Sequence, residues 1–515
     1  MEIELKFLLE PQRVEQFQRL MASSIIDANA FGSKTLQNIY YDTQEQALRQ
    51  LDIGLRTRAT FDDSGLGQCE QTVKLAGKDV GGLHQRPEFN VSLGEGGKDA
   101  FFANLSLFED GIWPAGFDVE RVQASLQQLF ETEFSRQVWV ITSPGGSKIE
   151  CVLDQGQVRA AGRTTPICEI ELELIEGQVA DMFHYAQLIA SKLPVKLGVL
   201  SKAARGYYLA TDKRLDCTNL EVSRFEPQID VETAMVTMLG QALHFIQHNE
   251  LVLSETQSPK ALRRIIDGIS MLIHVLNLFA PHLPKSRCSS FILGFKELRR
   301  SFAWVDVFYQ LQQLQNRKSP YRKDIEKSDF LRALLASQRL PDSQMVQATE
   351  KFQSAGYNRM MLNFIQWLSG KQWRNELPLT QIDILTQPLT SIAGDWLETA
   401  WGSLKMQLVK YRDKEADQAI EKLYWPLATE LLTGLCVGSL YFEDNWQAFR
   451  NPLVDLLVGC EELMLLNTLD KLVAEHESDA ADLEDYQSWL QGKKQSLNMA
   501  LSASINNTLK LKPYW

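Results

Sequence analysis

The chain has 515 residues, 44% hydrophobic and 23% charged, so it is long enough for two domains and has the ordinary composition of globular proteins. Its formal net charge of −12 at pH 7 excludes a nucleic-acid binder that depends on overall positive potential, although the sum leaves room for a local basic tunnel. Seven cysteines, odd in number and without a CxxC pair, argue against a disulfide framework and for a reducing compartment. The first residues offer neither a basic n-region nor an apolar h-region, and no apolar run reaches about 18 residues; a cytoplasmic protein that neither spans a membrane nor binds nucleic acid is expected.

In chain order, the opening MEIELKF places Glu2, Glu4 and Lys6 on one face of a strand and Ile3, Leu5 and Phe7 on the other. Strand patterns recur near 36–41, 52–60, 69–76, 85–93, 134–143, 148–154 and 167–175, with helical stretches near 11–22, 118–130 and 179–192. Arg56 and Arg58 share a face, as do Thr72 and Lys74, and Arg86, Glu88 and Asn90; Arg136 opens RQVWVIT, and Glu150 and Asp154 alternate with apolar residues. The stretch ICEIELELIEG then sets Glu169, Glu171 and Glu173 at every second position. Carboxylates so spaced lie ~7 Å apart and repel by about 0.6 kcal/mol in water but about 2.4 kcal/mol at an effective dielectric near 20. Such a row is tolerable on an open surface and demands cations when enclosed. A solvated sheet face usually carries Thr, Ser, Gln and Lys, whereas these strands use Arg and Glu with the signs mixed between strands. A closed barrel with a charged lumen and an apolar exterior packed on helices fits better, and such a lumen suits a polyanion with its metal.

From Thr211 to about Asp230 the pattern lapses. Beyond it nearly everything reads as helix. Asp230 can cap a helix with the stripe Met235, Met238, Leu239, Ala242 and Ile246. Ser258-Pro259 opens another, with Leu262, Ile265, Ile266, Ile269, Leu272, Ile273 and Leu276 on one side. The fold class is therefore α+β: strands and helices over 1–212, a linker at 213–229, and an all-α bundle over 230–515.

The ordered set of Glu2-Glu4-Lys6, Arg56 and Arg58, Lys74, Arg136, Asp154, the ExExE strand and Lys202 in LSKAARGY resembles the CYTH superfamily of triphosphate tunnel metalloenzymes. The runs KLAGKDVGGLHQRPEFNV and LSKAARGYYLA look particularly like bacterial inorganic triphosphatases in which a CYTH domain precedes a CHAD domain. The resemblance implies an eight-stranded antiparallel β-barrel tunnel holding Mg²⁺ or Mn²⁺, and hydrolysis of inorganic tripolyphosphate to pyrophosphate and phosphate. Carried over by position, Glu2, Glu4, Asp154, Glu169 and Glu171 match metal-holding carboxylates, and Lys6, Arg56, Arg58, Lys74, Arg136 and Lys202 match phosphate-binding cations. Glu4, Lys6 and Glu171 are the candidates nearest the chemistry; Glu88 matches a further acidic position. Glu173 extends the acidic row and Arg205 the basic set, in the tunnel or at its mouth. Thiamine or nucleoside triphosphates are alternative substrates, and a non-catalytic polyphosphate-binding protein is a third reading; the intact acidic set favours an enzyme.

A CHAD-like second half implies polyphosphate or a protein as its partner. Where a CHAD helix resembles HxxRVxxRRxR, this chain has ALRRIIDGISMLIHVLNLF: Arg263 and Arg264 remain, but Ile266, Ser270, Met271 and Ile273 stand where Arg is expected. A docking or structural role is thus equally open. His244 and His248 have a zinc-compatible spacing but no evident third ligand, and the tryptophans of this half read as packing.

Overall fold

A computed structural model describes residues 2–26, 28–61, 67–211, 215–338, 342–412, 420–475 and 480–515; the expected boundary at 212/213 lies outside the described residues. The chain divides into two compact units, one of Met1–Asp216 with Glu350–Gln372, the other of Cys217–Thr349 with Trp373–Trp515.

The first unit contains β1 (Glu2–Leu8), β2 (Ala28–Asp42), β3 (Gly54–Phe61), β4 (Gly67–Lys74), β5 (Lys78–Val80), β6 (Leu83–Arg86), β7 (Glu88–Glu95), β8 (Gln127–Thr142), β9 (Lys148–Ala160), β10 (Arg163–Glu176) and β11 (Lys196–Leu197). Antiparallel pairing runs β1-β10-β9-β8-β2-β3-β4-β7, and β6 pairs the other edge of β1. Because β6 and β7 are one stretch of chain interrupted at Pro87, residues 83–95 connect the two ends and close a ring of eight strand positions. Pro87 fits this break because it lacks the N–H that either ladder would need. The register sets Glu4 opposite Glu173, Lys6 opposite Glu171, Asp154 opposite both Arg136 and Glu169, and Arg56 opposite Tyr40.

Alternation divides these strands. Leu5, Phe7, Ile170, Leu172, Cys151 and Leu153 face outward and are buried. The Val179–Lys192 helix covers part of that outer face with Met182, Phe183, Ala186 and Ile189, and Phe17 of the Val14–Met21 helix meets Trp139 edge-on at 5.5 Å. The inner face is charged along part of its length. Elsewhere it is apolar, with Leu36, Phe130, Phe134, Val158 and Ile167 clustered around Tyr207 of the Lys202–Ala210 helix.

Two elements depart from the local sequence signal. The helical pattern at 118–130 yields a helix only over Val119–Ala124, since from Gln127 onward β8 forms one ladder with β2 and another with β9. Two long ladders outweigh a local helical preference. Second, the Ala355–Ser369 helix, far along the sequence, packs on the Val179–Lys192 helix. Gln187 donates to Asn363 at 2.9 Å, and fully buried Asn358 donates to the Val195 carbonyl at 2.7 Å.

In the second unit, Asp230 accepts a hydrogen bond from Thr233 N at 2.8 Å and caps the Val231–Thr256 helix, whose expected stripe is buried. The Pro259–Phe279 helix buries all seven residues of its stripe, though Ser258 makes no side-chain cap. By length and composition, residues Pro259–His282 could cross a membrane, as core helices of bundles also can, and 56% of that stretch's most apolar window is buried. Arg263 pairs with Asp306 and, at 3.3 Å, with Asp267; Arg264 reaches Asp267 at 3.0 Å. Further along, Trp401, Leu404, Leu423, Leu427, Phe449, Leu453, Leu501 and Ile505 form a core shared by four helices.

Two stability predictions follow from buried polar groups. Asn358→Ala leaves the Val195 carbonyl without its donor and is expected to cost about 1–3 kcal/mol in denaturant unfolding of the first unit; an unchanged midpoint would count against that contact. Glu430 is buried, and burial together with Glu398 raises its carboxyl to about 8. Because the folded pKa exceeds the unfolded one, its protonated form contributes stability that is complete below the unfolded pKa of 4.5 and is lost as pH rises through 8. Glu430→Gln should therefore raise the melting temperature at pH 9 relative to wild type and flatten the alkaline loss, which melts at pH 6 and pH 9 will show.

Candidate functional site

The site grows from the inner faces of β1, β8, β9 and β10. The pleat points Lys6, Arg136, Asp154, Glu169 and Glu171 to a common region, and the Lys202–Ala210 helix adds Lys202 and Arg205. Ser201 starts that helix by accepting from Ala204 N at 3.0 Å, which sets Lys202 at its first turn. Lys6 Nζ lies 2.7 Å from Glu171 and 3.4 Å from Glu169 and Glu4. Lys202 Nζ lies 2.6 Å from Asp154, 2.6 Å from Glu169 and 2.8 Å from Glu171. Arg136 forks onto Asp154 at 2.8 and 2.7 Å and also reaches Glu171 at 2.8 Å, while Arg205 pairs with Glu169. Three carboxylates thus interleave with four cations.

Asp154, Glu169 and Glu171 each offer an oxygen within 4.8 Å of the others, the sole cluster of potential metal ligands among the described residues. Glu169 Oε1 is buried without a hydrogen-bond donor of good geometry, although Lys202 is close. A hard, oxygen-seeking divalent cation fits this donor set. His244 and His248 join no such cluster among the described residues.

The protonation states follow from this interleaving. Burial alone would raise Glu171, but Lys202, Lys6 and Arg136 hold it well below the usual carboxylate range. Burial opposes charge on Lys6, yet Glu169, Glu171 and Glu4 keep its ammonium protonated far above the ordinary lysine value. Lys202 is raised against the same burial by Asp154, Glu169 and Glu171.

A second group occupies the same inner face. Lys74 Nζ lies 2.6 and 2.8 Å from the oxygens of Glu2 and 2.9 Å from Glu88, and Arg56 lies 3.8 Å from Glu88. Because β4 pairs with Glu88 and β1 with Arg86 of the same 83–95 stretch, the Lys74–Glu2 pair bridges that stretch on the inner face. Burial would raise Glu88, but Lys74 and Arg56 lower it. Glu173 has the opposite fate: burial and then Glu2 push its carboxyl up to about 7, with Glu4 and Glu150 adding to Glu2 and Lys74 opposing. Arg58 donates to Asn38 Oδ1 at 2.7 Å and faces Glu70 at 3.5 Å; burial, with Arg56 and Arg136 nearby, lowers it to about 10.

All fourteen candidates lie on these strands and this helix, but they form groups rather than one ring. Glu2 sits with Lys74 and Glu88, apart from the Asp154 cluster. Sequence reading missed Asn38, which orients Arg58, and Tyr40, whose hydroxyl bonds Arg56 and is acidified, against its burial, by Arg56 and Arg58. The period-two spacing of Asn38 and Tyr40 was a usable signal, masked by the apolar neighbours Ile39 and Tyr41. His84 was also missed: it stands opposite Glu4, with Nδ1 3.1 Å from Asp79 and Nε2 buried and unpartnered.

One family match falls on this same stretch. Residues 1–207 match the CYTH domain. Over 217 residues the chain is 36% identical to an inorganic triphosphatase of Haemophilus influenzae, a match that covers 42% of this chain and 56% of the relative, so the chain spans little more than half the length of that protein. Among solved structures, the CHAD domain of the plant Ricinus communis is 14% identical, with a TM-score of 0.40 and coverage of 58% of this chain and 98% of that one. A Hippeastrum protein, HpAC1, whose structure is described as revealing a dominant triphosphatase activity, is 19% identical, with a TM-score of 0.29 and coverage of 42% and 98%.

Within residues 1–207, Arg136 has the most demanding position, since Asp154 is wholly buried. Arg136→Met removes a two-bond fork from Asp154 and leaves Lys202 as its remaining cation, and should cost about 1–3 kcal/mol, with Arg136→Lys falling between it and wild type because charge is kept and the fork lost. Unfolding midpoints in that order would bear this out; equal midpoints for Met and wild type would contradict it.

Proposed function

We propose that the chain is a metal-dependent triphosphatase whose substrate is inorganic tripolyphosphate, cleaved to pyrophosphate and phosphate in the charged part of the lumen. The observation that supports this reading most is the interleaving of Asp154, Glu169 and Glu171 with Lys6, Arg136, Lys202 and Arg205. A site for an anion alone would be served by cations without buried carboxylates, and a metal site alone would not need two buried and two half-buried cations. Carboxylates and cations together suit a metal–polyphosphate pair. The match of residues 1–207 to the CYTH domain and the similarity to an inorganic triphosphatase point the same way.

Asp154, Glu169 and Glu171 would hold Mg²⁺ or Mn²⁺, with Glu4 on the adjoining strand. Such an ion, when bound, neutralises phosphate charge and orients oxygens for displacement at phosphorus. The chain's own residues supply the rest. Lys6, Arg136, Lys202 and Arg205, now shared among carboxylates, would turn to phosphate oxygens. Arg56, Arg58 and Lys74 would grip the rest of the anion, with Arg forks favouring bidentate contact. Little covalent chemistry is then required beyond alignment of water and charge balance. Glu173 is the carboxyl poised nearest neutrality, and Glu2 and Glu88 would hold Lys74 in place.

Phosphate release from the full chain with tripolyphosphate, ATP and thiamine triphosphate, each with Mg²⁺, with Mn²⁺ and with chelator, tests this. Metal-dependent release that favours tripolyphosphate is expected; preference for either organic triphosphate would replace the substrate assignment, and tight binding without release would make the lumen a binding site. Arg56→Lys is expected to raise the KM for tripolyphosphate several-fold with little change in kcat, and an unchanged KM would remove Arg56 from substrate contact.

A further inference from the structure

Lys202 and Arg205 reach the carboxylates only if their helix sits at one depth and one rotation. The helix has two faces. Lys202 and Arg205, three residues apart, point to the charged cluster, while Ala203, Tyr207 and Ala210 meet the apolar end of the lumen. Apolar contact alone permits sliding and turning, because it is non-directional. A directional contact comes from the other end of the helix, where the Tyr207 hydroxyl donates to Asp42 Oδ2 at 2.7 Å.

Asp42 is built to receive it. The residue is wholly buried, its Oδ1 accepts from Thr43 N at 2.7 Å and Leu48 N at 2.8 Å, and its Oδ2 also accepts from Arg49 N at 3.0 Å. The carboxylate is therefore fixed by backbone before the helix arrives. Tyr207 is held just as closely, with the Arg49 guanidinium 4.8 Å above its ring and Phe130 edge-on at 5.2 Å. Gly206 permits this seat, since a Cβ there would come within 2.1 Å of the Phe130 ring. Burial and the Asp42 charge push the Tyr207 phenol far above its ordinary value, so it remains a donor at working pH.

We propose that the Asp42–Tyr207 hydrogen bond is a latch that positions Lys202 and Arg205, and so sets the affinity for the polyphosphate substrate without touching it. This rests on the triphosphatase reading for its consequence, but the latch itself is separable from it. Neither residue touches the carboxylate cluster, so both act as positioning residues.

The experiment uses the full chain and Tyr207→Phe, which keeps the ring and removes only the donor. Hydrogen exchange of the amides of residues 202–210 is expected to accelerate at least tenfold, which requires no substrate; unchanged exchange there overturns the latch. In tripolyphosphate kinetics Tyr207→Phe should raise KM about fivefold or more with kcat within twofold, and Lys202→Met/Tyr207→Phe should have nearly the KM of Lys202→Met alone. Faster exchange with an unaltered KM, or fully additive KM effects, overturns the link from latch to affinity. Absence of wild-type turnover instead counts against the triphosphatase reading, while hydrogen exchange still decides the latch. Asp42→Asn tests the same bond from its acceptor side if it folds, and Tyr207→Phe suffices if it does not.

Discussion

The strand unit is organised by one electrostatic constraint: Asp154 and Glu169 are wholly buried, and Glu171 nearly so. A buried carboxylate without a partner is costly enough to unfold a domain or to capture a proton. Here every one of the three lies against at least two cations drawn from different elements. The pairing register cannot slip without breaking this arrangement, since a shift of one residue on β10 would turn Glu169 and Glu171 to the apolar exterior and Ile170 and Leu172 into the lumen. The same charges that suit a metal–polyphosphate ligand therefore also enforce the strand order.

The lumen is divided by the same logic. Charged side chains and the apolar cluster around Tyr207 occupy one continuous inner face, and the Lys202–Ala210 helix separates them by being amphipathic in that enclosed space. Its charged side completes the carboxylate cluster, and its apolar side fills the remainder. Closure through residues 83–95 brings Lys74 of β4 to Glu2 of β1, so two residues distant in sequence meet across the stretch that joins their strands. Salt bridges of this kind are sensitive to any anion that competes for the lysine.

In the helical unit, Arg263 and Arg264 are met by Asp267 and Asp306. Burial raises Asp267 in spite of those arginines, and Glu461 is raised likewise. The local balance is acidic, in contrast to the four-to-three excess of cations in the Asp154 cluster.

The amino-acid sequence by itself determined which side chains share a face. The period of two in MEIELKF and ICEIELELIEG is a property of each extended strand and needs no neighbour, and the same holds for the apolar stripes beginning at Met235 and Leu262, where the period is that of the α-helix. Tertiary structure decided what those faces meet. It separated Glu2 from Asp154 and gave Asn38, Tyr40, Asp42 and Tyr207 their supporting places. It also extended β8 through Gln127–Phe130, where two ladders outweighed helical preference, and it drew the Ala355–Ser369 helix onto the strand unit through Asn358. The physical reason is that alternation and capping are local, whereas pairing register, ring closure and burial of a polar group depend on partners tens to hundreds of residues away.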